Sequence, residues 1–322
     1  MAETTNCLEV MDVKKYFKTP AGQLHAVDGV TFDIPTGTTL GVVGESGCGK
    51  STLGRVILGL LSATDGIIKF YGEDITNADK KRRKELRTDM QLIFQDPFAS
   101  LDPRMCVADL IAEPLRVYKV YDNKADLEKR LAELMDTVGL ARRLAYAFPH
   151  ELDGGRRQRI GVARALAMKP KFIVCDEPVS ALDVSIQAQI LNLLKTLQRE
   201  MDLTYMFITH DLSVVKHISQ DILVMYMGCM MEKCQSDELF EHPMHPYTKG
   251  LLSAIPVPSI HVKRKKILME GEITSPVEPE PGCRFAPRCP YATEQCRKEM
   301  PALRELTPGH FVACHEVGKT VN

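Results

Sequence analysis

The chain has 322 residues with 41 Lys+Arg against 42 Asp+Glu, a formal charge of −1; the length suits one large α/β domain or a domain with an appendage, and the balance argues against a protein that coats nucleic acid. At 44% hydrophobic and 26% charged residues it has the make-up of a folded globular chain. The longest nearly apolar stretch, Ile222–Met231, is about half of the ~20 residues a membrane-spanning helix needs, and Met1-Ala2-Glu3-Thr4-Thr5 lacks the layout of a signal peptide, so a cytosolic location is expected.

In chain order, the apolar run Thr39–Val43 leads into Gly44-Glu45-Ser46-Gly47-Cys48-Gly49-Lys50-Ser51, and the helical run Thr52–Leu61 follows. The octapeptide fits G-x-x-x-x-G-K-[ST] without a mismatch. Its glycines let the backbone curl so that successive N–H groups face phosphate, with a helix N-terminus behind them. Lys50 would reach the β- and γ-phosphates, and the Ser51 hydroxyl would hold Mg²⁺. The basic run Lys80–Lys84 is short and flanked by acidic residues, which reads as a solvated surface. Met90–Phe94 leads into Gln95, Phe172–Cys175 into Asp176-Glu177, and Tyr205–Thr209 into His210. Such runs predict buried strands of a largely parallel sheet, whose carboxyl ends carry ligands in open α/β folds. Roughly 96–168 reads as mostly helical, including Asp126–Gly139 with Leu127, Leu131, Leu134 and Val138 at helical spacing.

Asp176, at a strand end, can join the Mg²⁺ shell, and Glu177 can orient or polarise an attacking water. His210 can donate a hydrogen bond to a γ-phosphate, although a lone histidine is more often structural. Beyond these elements the composition shifts: 11 of the 19 prolines lie between Pro243 and Pro308, and His242-Pro243-Met244-His245-Pro246 interrupts the pattern, which places a boundary near 245. The basic run Lys263–Lys266 again reads as surface. Six of ten cysteines are scattered over the first 282 residues, while Cys283, Cys289, Cys296 and Cys314 form C-x5-C-x6-C-x17-C. In a chain without an export signal, metal ligation explains such a cluster better than disulfides do. The spacing matches neither most zinc fingers nor the usual ferredoxins, so four unrelated thiols stay equally open from spacing alone.

The ordered set of phosphate loop, Gln95, Leu152-Asp153-Gly154-Gly155-Arg156, Phe172–Glu177, Ser180-Ala181-Leu182-Asp183 and His210 resembles the nucleotide-binding domain of ATP-binding-cassette (ABC) transporters. Gly44–Arg55, Gln95–Arg104, His245–Tyr247 and the cysteine tail resemble, more narrowly, the second ATP-binding subunit of oligopeptide and dipeptide importers. The resemblance covers essentially the whole chain. It implies an α/β P-loop NTPase fold at 1–245, a RecA-like core with a helical subdomain at about 96–168, and a proline- and cysteine-rich C-terminal extension at 246–322. It further implies ATP bound by Gly44, Glu45, Ser46, Gly47, Cys48, Gly49, Lys50, Ser51 and Thr52. Mg²⁺ would be shared by Ser51, Gln95 and Asp176, with Glu177 the catalytic carboxylate, His210 a switch histidine and Asp183 in a loop communicating across a dimer. An aromatic should stack on adenine; Phe17 is favoured over Tyr16, against ordinary core packing of either ring. In related importers a four-cysteine [4Fe-4S] site occupies this tail, so Cys283, Cys289, Cys296 and Cys314 are expected to hold a cluster, with Zn²⁺ the chemical alternative.

The signature departs from the family's L-S-G-G-Q: Asp153 replaces the serine and Arg156 the glutamine, while Gly154 and Gly155 remain. An ionised Asp153 only accepts hydrogen bonds. Like charges at ~4 Å repel by about 4 kcal/mol at an effective dielectric of 20. In the family each ATP lies between one subunit's loop and the other's signature, so the expected consequence is one impaired site and a heterodimer with a second ATPase. Asp153 turned away or protonated would remove that consequence. The reading is an ATPase subunit of a peptide importer at the cytoplasmic face of the membrane, with two permease subunits and an extracytoplasmic substrate-binding protein as partners and no nucleic acid. A soluble, non-transport ABC ATPase and a non-catalytic nucleotide-binding regulator are the alternatives.

Overall fold

Apolar runs that ended on a chemically capable residue are strands in the computed structural model, which describes residues 5–96, 100–255, 267, 269, 271 and 275–318. The second basic run and residues 97–99, within the segment that follows Gln95, lie outside the described residues. The strands in chain order are β1 (Asn6–Thr19), β2 (Gly22–Pro35), β3 (Thr39–Val43), β4 (Asp65–Phe70), β5 (Glu73–Asp74), β6 (Met90–Ile93), β7 (Phe172–Asp176), β8 (Thr204–Thr209), β9 (Asp221–Tyr226), β10 (Cys229–Gln235), β11 (Arg304–Thr307) and β12 (His310–Val312). Two compact units divide the chain. One takes the described residues of 1–35, 39–77 and 209–322, and the other takes 36–38 and 78–208.

The first unit holds two kinds of sheet. An antiparallel sheet of order β2-β1-β4-β5 is built on the long β1–β2 hairpin. It was not evident from apolar runs, because β1 alternates and shifts register between Val10 and Val13. That shift, at the positive-φ Asp12, brings Val13 into the core with Leu8 and Val10. Elsewhere β3 pairs parallel with β9 from Leu40↔Asp221 to Val43↔Val224, and all five β3 residues are buried. The Ile222–Met231 stretch is the β9–β10 hairpin, which explains an apolar run too short to span a membrane. No helix among the described residues is long and apolar enough to cross one.

Residues after 245 share the core of this unit. Tyr247 and Phe285 are fully buried with Tyr226, Met231 and Leu252, and β12 pairs antiparallel with β10. Tyr226, Tyr247 and Phe285 meet at centroid distances of 4.8, 5.4 and 5.3 Å in edge or tilted geometry, each pair worth about 0.5–1.5 kcal/mol beyond area burial. The buried Glu232 carboxylate on β10 accepts from the Met244 and His245 backbone N–H groups at 2.7 and 3.0 Å and pairs with His310 Nε2 at 2.7 Å. Burial lowers His245 to a pKa of about 4. Its neutral ring then accepts from the Tyr247 N–H at 3.1 Å and caps the helix Pro246–Ser253.

The second unit is an α/β body with β6, β7 and β8 in parallel pairing, Met90↔Phe172 through Ile93↔Cys175 and Phe172↔Thr204 through Asp176↔Ile208. The predicted helix around Asp126–Gly139 is observed at Lys124–Thr137, capped by Asn123 accepting from Asp126 N–H. Helix Lys80–Asp89 carries the first basic run with Lys80, Lys81 and Lys84 exposed and Arg82 and Arg83 half-buried, its start capped by Asp79.

Candidate functional site

In the first unit the phosphate loop forms because β3 delivers the chain into a curl that only glycine tolerates at two points. At Gly44 (φ 153°) a Cβ would lie 2.1 Å from the Met225 carbonyl oxygen, and at Gly49 (φ 103°) 2.1 Å from that of Ala26. Gly49 occupies the cap position of the helix Lys50–Ile57, so the helix N-terminus opens onto the loop. Lys50 is only 4% exposed. Its ammonium donates to the Gly44 and Glu45 carbonyls at 2.8 and 2.9 Å, which holds the charge inside the curl. Burial pushes the neighbouring Cys48 thiol above its ordinary range despite the opposing charge of Lys50. Ser46, Gly47, Ser51 and Thr52 lie on the open side of the curl, half-buried or exposed. His210 follows β8 and is exposed; Asp211 beside it caps the helix Leu212–Ile218 by accepting from Ser213 and Val214 N–H.

The loop is also held from positions the sequence did not announce. The Glu45 N–H donates to the Tyr247 hydroxyl at 3.0 Å. Its carboxylate receives both ends of the Arg288 guanidinium at 2.7 and 3.1 Å. These partners stand 202 and 243 residues away, with no periodicity connecting them. Of the two candidate adenine platforms, the Phe17 ring is half-buried with the Lys15 ammonium 4.9 Å from its centroid. Tyr16 stacks on His25 at 3.9 Å and donates to Asp28. Asp28 also meets His25 Nδ1 at 2.9 Å and Arg284 at 2.6 Å. Burial, reinforced by Asp28, holds the Tyr16 phenol well above its usual range.

The second unit brings Gln95 and Glu177 together: the Gln95 amide donates to a Glu177 carboxylate oxygen at 3.0 Å. Asp176 ends the fully buried β7 with 4% exposure. Glu177 adopts φ 46°, its N–H bonded to the Ile208 carbonyl at 2.9 Å, which is a costly backbone for a non-glycine residue and turns the chain sharply off the strand. Ser180 fixes that turn by donating to the Glu177 carbonyl at 3.1 Å. Asp183 is exposed at the start of the helix Val184–Met201.

The altered signature begins the helix Gly154–Leu166. Asp153 is its N-cap: one carboxylate oxygen accepts from the Arg156 N–H at 2.8 Å and the other pairs with the Arg156 guanidinium at 2.9 Å. Gly155 allows close packing, since a Cβ there would lie 2.7 Å from the Ile186 side chain.

In the tail, Cys283, Cys289, Cys296 and Cys314 are free thiols, and the Cys283 N–H donates to the Cys296 carbonyl at 2.7 Å. Burial pushes Cys283 up to about 11, and the Cys296 and Cys314 sulfurs add to it. Burial likewise raises Cys289, with Cys314 and Cys296 contributing. The donor set is chemically that of a four-thiolate site, whereas among the described residues no group of three or more His, Cys, Asp or Glu is placed to hold a metal ion.

Residues 27–180 match the family described as ABC transporter, and residues 231–296 match the oligopeptide/dipeptide transporter C-terminal region. The chain is 50% identical to the oligopeptide transport ATP-binding protein AppF of Bacillus subtilis over 98% of both chains. It is 51% identical to the oligopeptide transport ATP-binding protein OppF of Salmonella typhimurium over 96% of this chain and 93% of that one. Among solved structures, the ATP-binding cassette MJ0796, in a dimeric post-hydrolysis state bound to ADP and Pi, superposes with a TM-score of 0.65 at 28% identity, covering 71% of this chain and 98% of that one. With the phosphate loop, the Gln95–Glu177 pair and the C-terminal region all present in one chain, this protein belongs to the ABC transporter ATPases that carry the oligopeptide/dipeptide transporter C-terminal region.

Proposed function

We propose that this chain is the ATP-hydrolysing subunit of an importer that takes di- or oligopeptides across the cytoplasmic membrane, with 1–245 as the nucleotide-binding part and 246–322 as an extension. The observation that carries the reading is near-full-length identity to oligopeptide transport ATP-binding proteins together with an intact phosphate loop. Lys50 and the loop N–H groups would take the ATP phosphates. Glu177 would accept a proton from the attacking water, with Gln95, already hydrogen-bonded to it, orienting the pair. The hydroxyl then attacks the γ-phosphorus, the bond to ADP breaks, and ADP and phosphate leave. His210 would donate to the γ-phosphate, Phe17 would carry the adenine and Asp183 would face a partner ATPase. The buried, acceptor-only Asp176 suits a hard cation: Ser51, Gln95 and Asp176 would hold Mg²⁺, which supplies charge neutralisation on the phosphate oxygens.

The partners of this reading are a second ATPase, two permeases and an extracytoplasmic binding protein, with this chain peripheral on the cytoplasmic side. Binding of ATP to the closed pair of ATPases, stronger than to the open pair, is what would drive the permeases. Asp153 supports an unequal pair of sites, because its oxygens already accept from the Arg156 N–H and guanidinium and it has no hydroxyl to donate across a dimer. A [4Fe-4S] group with a structural role is proposed for the tail on its donor set alone, four cysteines in one short region; iron and sulfide analysis of anaerobically purified protein tests it, with zinc the competing result. The functional reading is tested by peptide uptake into vesicles containing the assembled transporter. Lys50→Ala should abolish uptake, and uptake at the native rate in that variant contradicts the reading.

A further inference from the structure

Glu45 places a carboxylate in a loop whose chemistry is to bind anions. Every group on this residue is nonetheless engaged within the first unit. Its carbonyl accepts from Lys50 at 2.9 Å, its N–H donates to Tyr247 at 3.0 Å, and its carboxylate is clasped by Arg288 at 2.7 and 3.1 Å. The Arg288 side chain is 8% exposed and that of Glu45 20%, so the fork-to-fork pair is far better shielded than a surface ion pair. Arg288 meets the Tyr226 hydroxyl at 3.3 Å as well, and Tyr226, Tyr247 and Phe285 pack into one aromatic group. The arginine therefore comes from a short tail segment anchored by Phe285, three residues before it. The contacts on the N–H and on the carboxylate of the phosphate loop's first variable residue thus both come from beyond residue 245.

We propose that Arg288 is a positioning residue for nucleotide binding, acting through Glu45: it neutralises a carboxylate that would otherwise repel ATP phosphates, and with Tyr247 it fixes the first turn of the phosphate loop. The inference rests on the reading of the loop as an ATP site. It gives the C-terminal extension a direct stake in nucleotide affinity, because displacing this segment uncovers the Glu45 charge and releases its N–H together.

The test is equilibrium binding of a fluorescent ATP analogue with Mg²⁺ by the purified full-length chain, with thermal unfolding as the control for folding. Arg288→Gln should weaken binding on the order of tenfold, the scale of one unneutralised charge close to a polyphosphate at an effective dielectric near 20, and the loss should shrink as salt is raised. Adding Glu45→Gln to Arg288→Gln should restore most of the affinity, which no loss of tail packing would do. Tyr247→Phe keeps the ring in the core and removes only the hydroxyl; it should weaken binding severalfold with little change in unfolding temperature. Native affinity in Arg288→Gln, or a double variant as weak as Arg288→Gln alone, overturns the inference. If Arg288→Gln does not fold, Arg288→Lys decides: it keeps the charge without the fork and should bind closer to native than to tenfold weaker, and a larger loss overturns the inference. Native protein that binds no nucleotide overturns the ATP reading too, whereas native binding with indifferent variants overturns this inference alone.

Discussion

Glu45 in the phosphate loop and Asp153 in the signature are both carboxylates in segments that the family uses to approach phosphate, and each is matched by an arginine. They are matched in opposite ways. Asp153 pairs with Arg156 three residues on, both about half exposed at 57% and 51% respectively, and its carboxylate caps its own helix. Glu45 pairs with an arginine 243 residues away in a shielded setting. The local pair is weak and inexpensive to rearrange. The long-range pair makes the loop depend on everything that holds Arg288 in place. Adjacent arginines therefore soften a charge, whereas distant ones wire a loop to another part of the fold.

The strongest way to break the contrast is to remove the anchor. Phe285→Ala should destabilise the chain by about 3–5 kcal/mol, as expected for a fully buried phenylalanine, and it should weaken nucleotide binding at the same time; chemical denaturation with ligand titration checks both. A pH series comes next. Burial opposes the charged form of His310, but Glu232 and Glu238 outweigh it and raise its pKa. Its contribution is then complete below an unfolded value of about 6.5 and lost as pH rises through the raised folded value. Thermal unfolding should fall more steeply on the alkaline side in the native chain than in His310→Gln, and equal slopes contradict the assignment. Asp153→Ala should cost about 1 kcal/mol through the lost N-cap. Arg156→Gln, which spares the cap and removes only an exposed ion pair, should cost a few tenths of a kcal/mol at most. An Arg156→Gln effect as large as that of Asp153→Ala would show that the pair is not as loose as its exposure implies.

The positions of the candidate site residues were legible because they sit where short apolar runs stop. Val43, Cys175 and Thr209 are the last residues of such runs, and Gly44, Asp176 and His210 follow them in the structure as in the sequence. The Asp153–Arg156 pair was legible for the same local reason, since residues three apart face one another at a helix start. The N-terminal sheet was not, because Leu8 and Val10 alternate while Val13 joins them in the core only through a register shift that no alternation pattern encodes. Tyr247 and Arg288 were visible as parts of family-like segments, but their reach to Glu45 is a product of tertiary packing. Nothing within about ten residues of either one carries that signal.

Steady-state ATP turnover by the assembled transporter in lipid tests the central assignment most directly, with three forms of this chain: native, Glu177→Gln, and Asp153→Ser combined with Arg156→Gln. Glu177→Gln should lower turnover by at least about a hundredfold, the scale of a lost general base, and the signature repair should raise it. Turnover largely intact in Glu177→Gln and unchanged by the repair would mean that the partner's phosphate loop does the work and that this chain's site does not.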